Sequence, residues 1–158
     1  DWLVELLNGT EENAEENLCV LQALSCWGAD VSNDVVTTCL QNPGQNYRLT
    51  GLQLLSFRAH TLTDRELLNL CNEALDDFRD PVAIAAIRVL QRRDGPEITQ
   101  RLAELCRSES IPVCEAAFRA LGCIATSESQ ASLLELSQSL SDEKRRQLAL
   151  QQLNQQFR

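Results

Sequence analysis

Seven cysteines and a single histidine are the side chains of this sequence best suited to nucleophilic, redox or soft-metal chemistry. Their spacing points to architecture instead. Cys39, Cys71 and Cys106 lie 32 and 35 residues apart, and Ser137 follows after another 31. A position that recurs at such an interval is a packing position, and cysteine fills it as a small, readily buried apolar side chain. Thiols one helix spacing apart, about 10 Å, are too distant to share a metal ion. Cys26 and Cys123 share a second column, while Cys19 and Cys114 fall near expected turns, where partial exposure is predicted. No cysteine has a histidine nearby in sequence and there is no Cys-x-x-Cys pair. His60 ends a predicted helix, where an imidazole most simply complements the helix dipole.

Other catalytic signatures are missing. The sequence has no Gly-rich phosphate loop, no Gly-x-Ser-x-Gly and no His-Glu-x-x-His. Asp80 and Asp94 stand at predicted helix starts, where a carboxylate satisfies free backbone N–H groups and the dipole without any further role. No catalytic residue, metal ligand or cofactor site is therefore expected. The odd thiol count, in a chain of 158 residues that needs no covalent staples, points to a reducing, cytoplasmic setting.

Charge is unevenly placed. The 14 basic and 23 acidic residues give −9, but residues 1–47 hold eight acids and no Lys or Arg. Glu11, Glu12, Glu15 and Glu16 concentrate that charge, either as a solvated first helical turn or as a patch that steers a basic segment of a partner. No basic run exceeds Lys144-Arg145-Arg146, so the charge needed to grip nucleic acid or an anionic membrane is absent. No apolar run reaches the ~18 residues of a membrane span.

The elements that position these residues repeat. Five segments superimpose on Leu24, Leu55, Leu90, Leu121 and Leu153, at spacings of 31, 35, 31 and 32. One turn earlier the same register gives Val20, Gly51, Ala86, Ala117 and Ala149, four of the five Gly or Ala, small residues that let a neighbouring helix come close. A third column, Leu21, Leu52, Ile87, Phe118 and Leu150, is apolar throughout. The segments, 17–28, 47–60, 81–93, 112–125 and 144–155, alternate with other helical stretches at 31–41, 64–78, 96–107 and 128–140, with 1–8 as an incomplete first member. Thr63-Asp64-Arg65-Glu66 has the form of a capping box, and Pro81, Pro96 and Pro112 sit where helices open. Nothing alternates with the period of a strand. A helix–turn–helix unit of this length cannot bury its own apolar face and must stack on its neighbours.

The segments Asp80-Pro-Val-Ala-Ile-Ala-Ala-Ile-Arg-Val-Leu and Ile111-Pro-Val-Cys-Glu-Ala-Ala-Phe-Arg-Ala-Leu-Gly resemble the second helix of HEAT and HEAT-like repeats, Asp-Pro-x-Val-Arg-x-x-Ala-x-x-x-Leu-Gly. The usual Arg after the Val is replaced by Ala83 and Cys114, whereas Arg48 and Arg146 hold the aligned place in other copies. The resemblance implies an all-α, right-handed α-solenoid of about five stacked antiparallel helix pairs, one repeat domain over residues 1–158 that is expected to belong to a longer chain. It also implies a non-catalytic scaffold that binds a protein or peptide. Some HEAT-like proteins are bilin lyases or DNA-repair glycosylases; the charge opposes the second activity, and the first would need a deep cavity lined by Trp27, Phe57 and Cys26.

With the small and Leu columns turned inward, the opposite face of the second helices carries Gln22, Gln53, Arg88, Arg119 and Gln151. One turn earlier stand Leu18, Leu49, Ile84, Glu115 and Gln147, apolar in three copies and polar in two. Amide and guanidinium groups beside apolar positions can hydrogen-bond an extended backbone while contacting its side chains. Gln22, Gln53, Arg88, Arg119, Gln151, Leu18, Leu49 and Ile84 are therefore the expected partner-binding residues.

Overall fold

A computed structural model describes residues 14–157, with side chains from Asn17 onward. The predicted helix at 1–8 and the side chains of Glu11, Glu12, Glu15 and Glu16 lie outside the described residues. The chain divides into two compact units, 1–62 and 63–158.

In the first unit, α1 (Ala14–Cys26) and α2 (Asn33–Gln41) both pack on α3 (Gln45–Arg58). Helix α1 ends because Gly28 adopts a left-handed φ of 64°, which lets its N–H reach the Ser25 carbonyl and that of Ala29 reach Leu24, a Schellman closure. A Cβ added to Gly51 would fall 2.8 Å from the Cys39 Cβ, so the absence of a side chain is what allows α2 and α3 to touch. Helix α2 starts at Asn33 rather than Val31; Val31 is buried in the preceding turn, and its carbonyl accepts from the Arg58 guanidinium, which also meets Asp30 at 3.1 Å. A 3-10 turn, Ala59–Thr61, extends α3 and contains His60.

The second unit consists of three helix pairs: α4 (Asp64–Leu75) with α5 (Asp80–Leu90), α6 (Pro96–Leu105) with α7 (Ile111–Ile124), and α8 (Ser127–Ser139) with α9 (Glu143–Gln156). The first helices α4, α6 and α8 pack in sequence, and so do the second helices α5, α7 and α9. Local sequence sets the boundaries. The Glu66 N–H donates to Thr63 Oγ1 while the Thr63 N–H donates to the Glu66 carboxylate, the reciprocal box read from the sequence. Thr126 and Asp142 accept the Ser129 and Lys144 N–H groups at 3.1 and 3.0 Å. Pro81, Pro96 and Pro112 occupy first turns, where a missing N–H costs nothing.

Helix α4 stops at Leu75, short of the predicted Phe78. The Asp77 carboxylate is responsible: it accepts the Arg79 backbone N–H and the Nε and Nη2 donors along one edge of its guanidinium at 2.8–2.9 Å, which folds the chain into a turn. Phe78 is left 89% exposed, its ring 5.2 Å from the Arg79 guanidinium carbon.

The repeat columns form the cores. Leu24, Leu55, Leu90 and Leu121 are fully buried, as are Ala86, Ala117 and Ala149, and Gly51 is buried, whereas Leu153 and Val20, at the ends of their columns, are half-buried. Each such Leu removed from water contributes about 1.5–3 kcal/mol. The third column holds through Leu21, Leu52, Ile87 and Phe118, then fails at Leu150, which is 39% exposed because no described helix covers that side of α9.

Candidate functional site

The pairing just described defines an all-α helical-repeat protein, in which the outward faces of the second helices carry the residues singled out from the sequence. In the first unit Gln22 on α1 and Gln53 on α3 are exposed, with Leu18 and Leu49 half-buried beside them. In the second unit Arg88 on α5, Arg119 on α7 and Gln151 on α9 are exposed, and Ile84 is half-buried. Glu115 is half-buried on α7, while Gln147 on α9 is exposed. The side chains of Gln22, Gln53, Arg88, Arg119 and Gln151 have no hydrogen-bond or ion-pair partner among the described residues. Sequence reading overlooked Ala85, Ala116 and Leu148, half-buried and at one recurring position three residues before Arg88, Arg119 and Gln151. Their spacing of 31 and 32 was available as a signal.

Most other arginines are engaged within the fold. Arg93 reaches Asp64 at 3.2 Å, and Arg101 reaches Asp76 at 2.7 Å. Arg48 donates to the Asn42 carbonyl at the end of α2, Arg107 donates to Ser139, and Arg146 pairs with Glu143 in its own helix. The Arg101–Asp76 and Arg107–Ser139 contacts join neighbouring pairs, and so do Ser110, whose hydroxyl donates to Asp80 at 2.8 Å, and Arg145. The Arg145 guanidinium donates to the Ser108 carbonyl at 2.8 Å, to the Glu109 carbonyl at 3.4 Å and to the Cys114 sulfur at 3.4 Å, and it also pairs with Asp142. The Lys144 backbone N–H and then this guanidinium hold the Asp142 carboxyl below its ordinary range.

Cys114 is buried, not partly exposed as its place near a turn suggested, because its thiol turns inward to donate to the Ser108 and Cys106 carbonyls at 3.0 and 3.3 Å. Cys39, Cys71 and Cys106 are buried too, while Cys19, Cys26 and Cys123 are exposed. Burial pushes the Cys39 thiol up to about 11 and the Cys71 thiol up to about 12. It raises Cys106 as well, reinforced by Cys114 and opposed by Arg107. Thiols so reluctant to ionise are poor nucleophiles and poor metal ligands, which suits the packing role read from their spacing. Trp27 and Phe57 are surface side chains, 67% and 38% exposed, rather than the lining of a deep chromophore cavity.

A shallow groove of about 470 Å³ lies between the turns at residues 75–80 and 105–110. Asp76, Asp80, Glu104 and Glu109 line it together with Arg101 and Arg107, a mixed-charge rim with no convergent catalytic group. Among the described residues no cluster of His, Cys, Asp and Glu is placed to hold a metal ion, and no helix is long and apolar enough to cross a membrane.

Residues 67–154 match the family model for HEAT repeats, more than half of the chain, and the chain belongs to that family. HEAT repeats mediate protein–protein interaction. No curated protein sequence matches the chain.

Proposed function

We propose that the chain is a non-catalytic interaction scaffold that binds a segment of a partner protein on the exposed faces of its second helices. Gln22 and Gln53, with Leu18 and Leu49, supply that face in the first unit; Arg88, Arg119 and Gln151, with Ile84, supply it in the second. The observation that supports this reading is the set of five exposed polar side chains at one recurring position, none with a partner among the described residues, beside half-buried apolar ones. Such groups can satisfy an extended backbone at little cost, since nothing within the fold has to be broken first. The acidic first third would draw in a basic segment by long-range attraction. Neither nucleic acid nor membrane is part of this reading, and the free thiols favour a cytoplasmic setting.

A photo-crosslinking amino acid placed singly at Gln53, Arg119 or Gln151, and for comparison at Gln100 or Glu135 on the first helices, tests the assignment in the native cell. Partner adducts should concentrate at the first three positions. Equal adduct yields on the two rows would remove the second-helix face from consideration.

A further inference from the structure

In the 63–158 unit the second-helix face is cationic, in a chain that is acidic as a whole. Arg88 and Arg119 occupy the same repeat position on α5 and α7, which pack side by side, and Arg92 lies one turn beyond Arg88 where α5 ends. All three are exposed and have no acceptor among the described residues, whereas Arg48, Arg58, Arg79, Arg93, Arg101, Arg107, Arg145 and Arg146 all have one. Acceptors are not scarce, because acidic residues outnumber basic ones 23 to 14. The fold therefore engages its guanidinium groups wherever turns and neighbouring pairs need them and leaves these three, clustered on one face, and Arg65 on α4 facing solvent.

We infer that this face takes a carboxylate-rich segment of a partner protein, gripped by Arg88, Arg92 and Arg119. The inference rests on the scaffold reading and adds the ligand's chemistry, opposite in sign to the segment drawn to the first unit. A guanidinium presents paired N–H donors in the plane of a carboxylate, so two neighbouring arginines read two acidic side chains with defined spacing. Half-buried Ile84, Ala85 and Ala116 give the floor on which intervening apolar side chains rest. Glu115, one turn before Arg119, is the acid on this face and sets a place that a ligand carboxylate must avoid. A nucleic acid is a poorer fit: three cations release few counterions, and a net charge of −9 repels a long polyanion.

The test uses the whole chain and fluorescein-labelled octapeptides that alternate Leu with Glu, Gln or Lys, read by fluorescence anisotropy, with amide NMR shifts to map the contact. The Glu peptide should bind most tightly, weaken as salt is raised and shift resonances of α5 and α7. R88E/R119E should weaken it about tenfold or more, with unchanged circular dichroism, and R65E, at an exposed arginine on α4 also without a partner among the described residues, should leave it unaltered. Equal binding of the Glu and Gln peptides on α5 and α7 overturns the charge assignment and leaves the scaffold reading standing. If no peptide perturbs that face, both fall. Binding of a short DNA duplex that displaces the Glu peptide overturns the assignment of a protein ligand.

Discussion

Two glycines in second helices should respond to the same substitution with opposite signs. Glycine inside a helix costs about 1 kcal/mol relative to alanine, so Gly→Ala stabilises wherever the new methyl has room. At Gly51, in the middle of α3, the methyl carbon would lie 2.8 Å from the Cys39 Cβ and 3.2 Å from a Leu40 methyl. The Cys39 Cβ is fixed to the backbone of α2, so the helices must separate, and overpacking of this kind costs about 1–3 kcal/mol. Gly51→Ala should therefore destabilise the first unit by up to about 2 kcal/mol once the propensity gain is subtracted. At Gly122 in α7 the methyl would run into the amide oxygen of Gln152, but that atom is the far end of a half-buried, flexible side chain. Gln152 can turn away, and Gly122→Ala should stabilise the second unit by about 0.5–1 kcal/mol. Hydrogen exchange in moderate urea, followed peptide by peptide, reads the two units separately. If Gly51→Ala slowed exchange in α2 and α3 as much as Gly122→Ala slows it in α7 and α9, the close approach of α2 and α3 would be refuted.

Further outcomes follow from the caps and the thiols. Ala125 closes α7 at φ 52°, a left-handed conformation that costs an L residue about 1 kcal/mol; Ala125→Gly should raise stability by roughly that amount in urea denaturation, and a loss of stability would show that the alanine methyl is needed. An aromatic disulfide reagent at pH 8 should modify Cys19, Cys26 and Cys123 quickly and the four buried thiols only as the chain opens, a count that mass spectrometry checks directly. Because burial lifts Cys39 to about 11 and Cys71 to about 12 from an ordinary 9.0, their contribution is complete below pH 9 and is lost as pH rises through 11–12. Alkaline unfolding should thus be shallower in C39A/C71A; an unchanged pH profile would assign the alkaline loss to other groups.

Helix positions were largely legible because packing repeats. Leu24, Leu55, Leu90 and Leu121 mark the second helices, and the observed starts at Asp64, Pro96 and Asp80 fall on the predicted capping residues or beside them. The misses have causes that apolar periodicity does not carry. Phe78 continues the apolar run of α4, yet the Asp77–Arg79 contact ends the helix three residues earlier. Cys114 stands near a turn in sequence, yet its thiol points inward to carbonyls of that turn, and Leu150 keeps its column in sequence while losing its cover in space. For the candidate face, residue type and exposure could be read from periodicity; which arginines are left free could not, since that depends on acceptors such as Asp64, Asp76 and Ser139 placed about 25–32 residues away.

Arg145 stands at the register position of Val82 and Val113, both buried valines, yet it reaches back to complete the turn of the preceding pair. This gives the pairs an order. A copy of residues 127–157 inserted elsewhere would carry a guanidinium shaped for a Ser108–Glu109 turn and a Cys114 sulfur that its new neighbour lacks. Removing the third pair would likewise strip those carbonyls of their donor. The pairs of this unit are thus not interchangeable modules: the junction of the second and third pairs is particular to the two it joins, and moving the third pair would leave Arg145 without these acceptors.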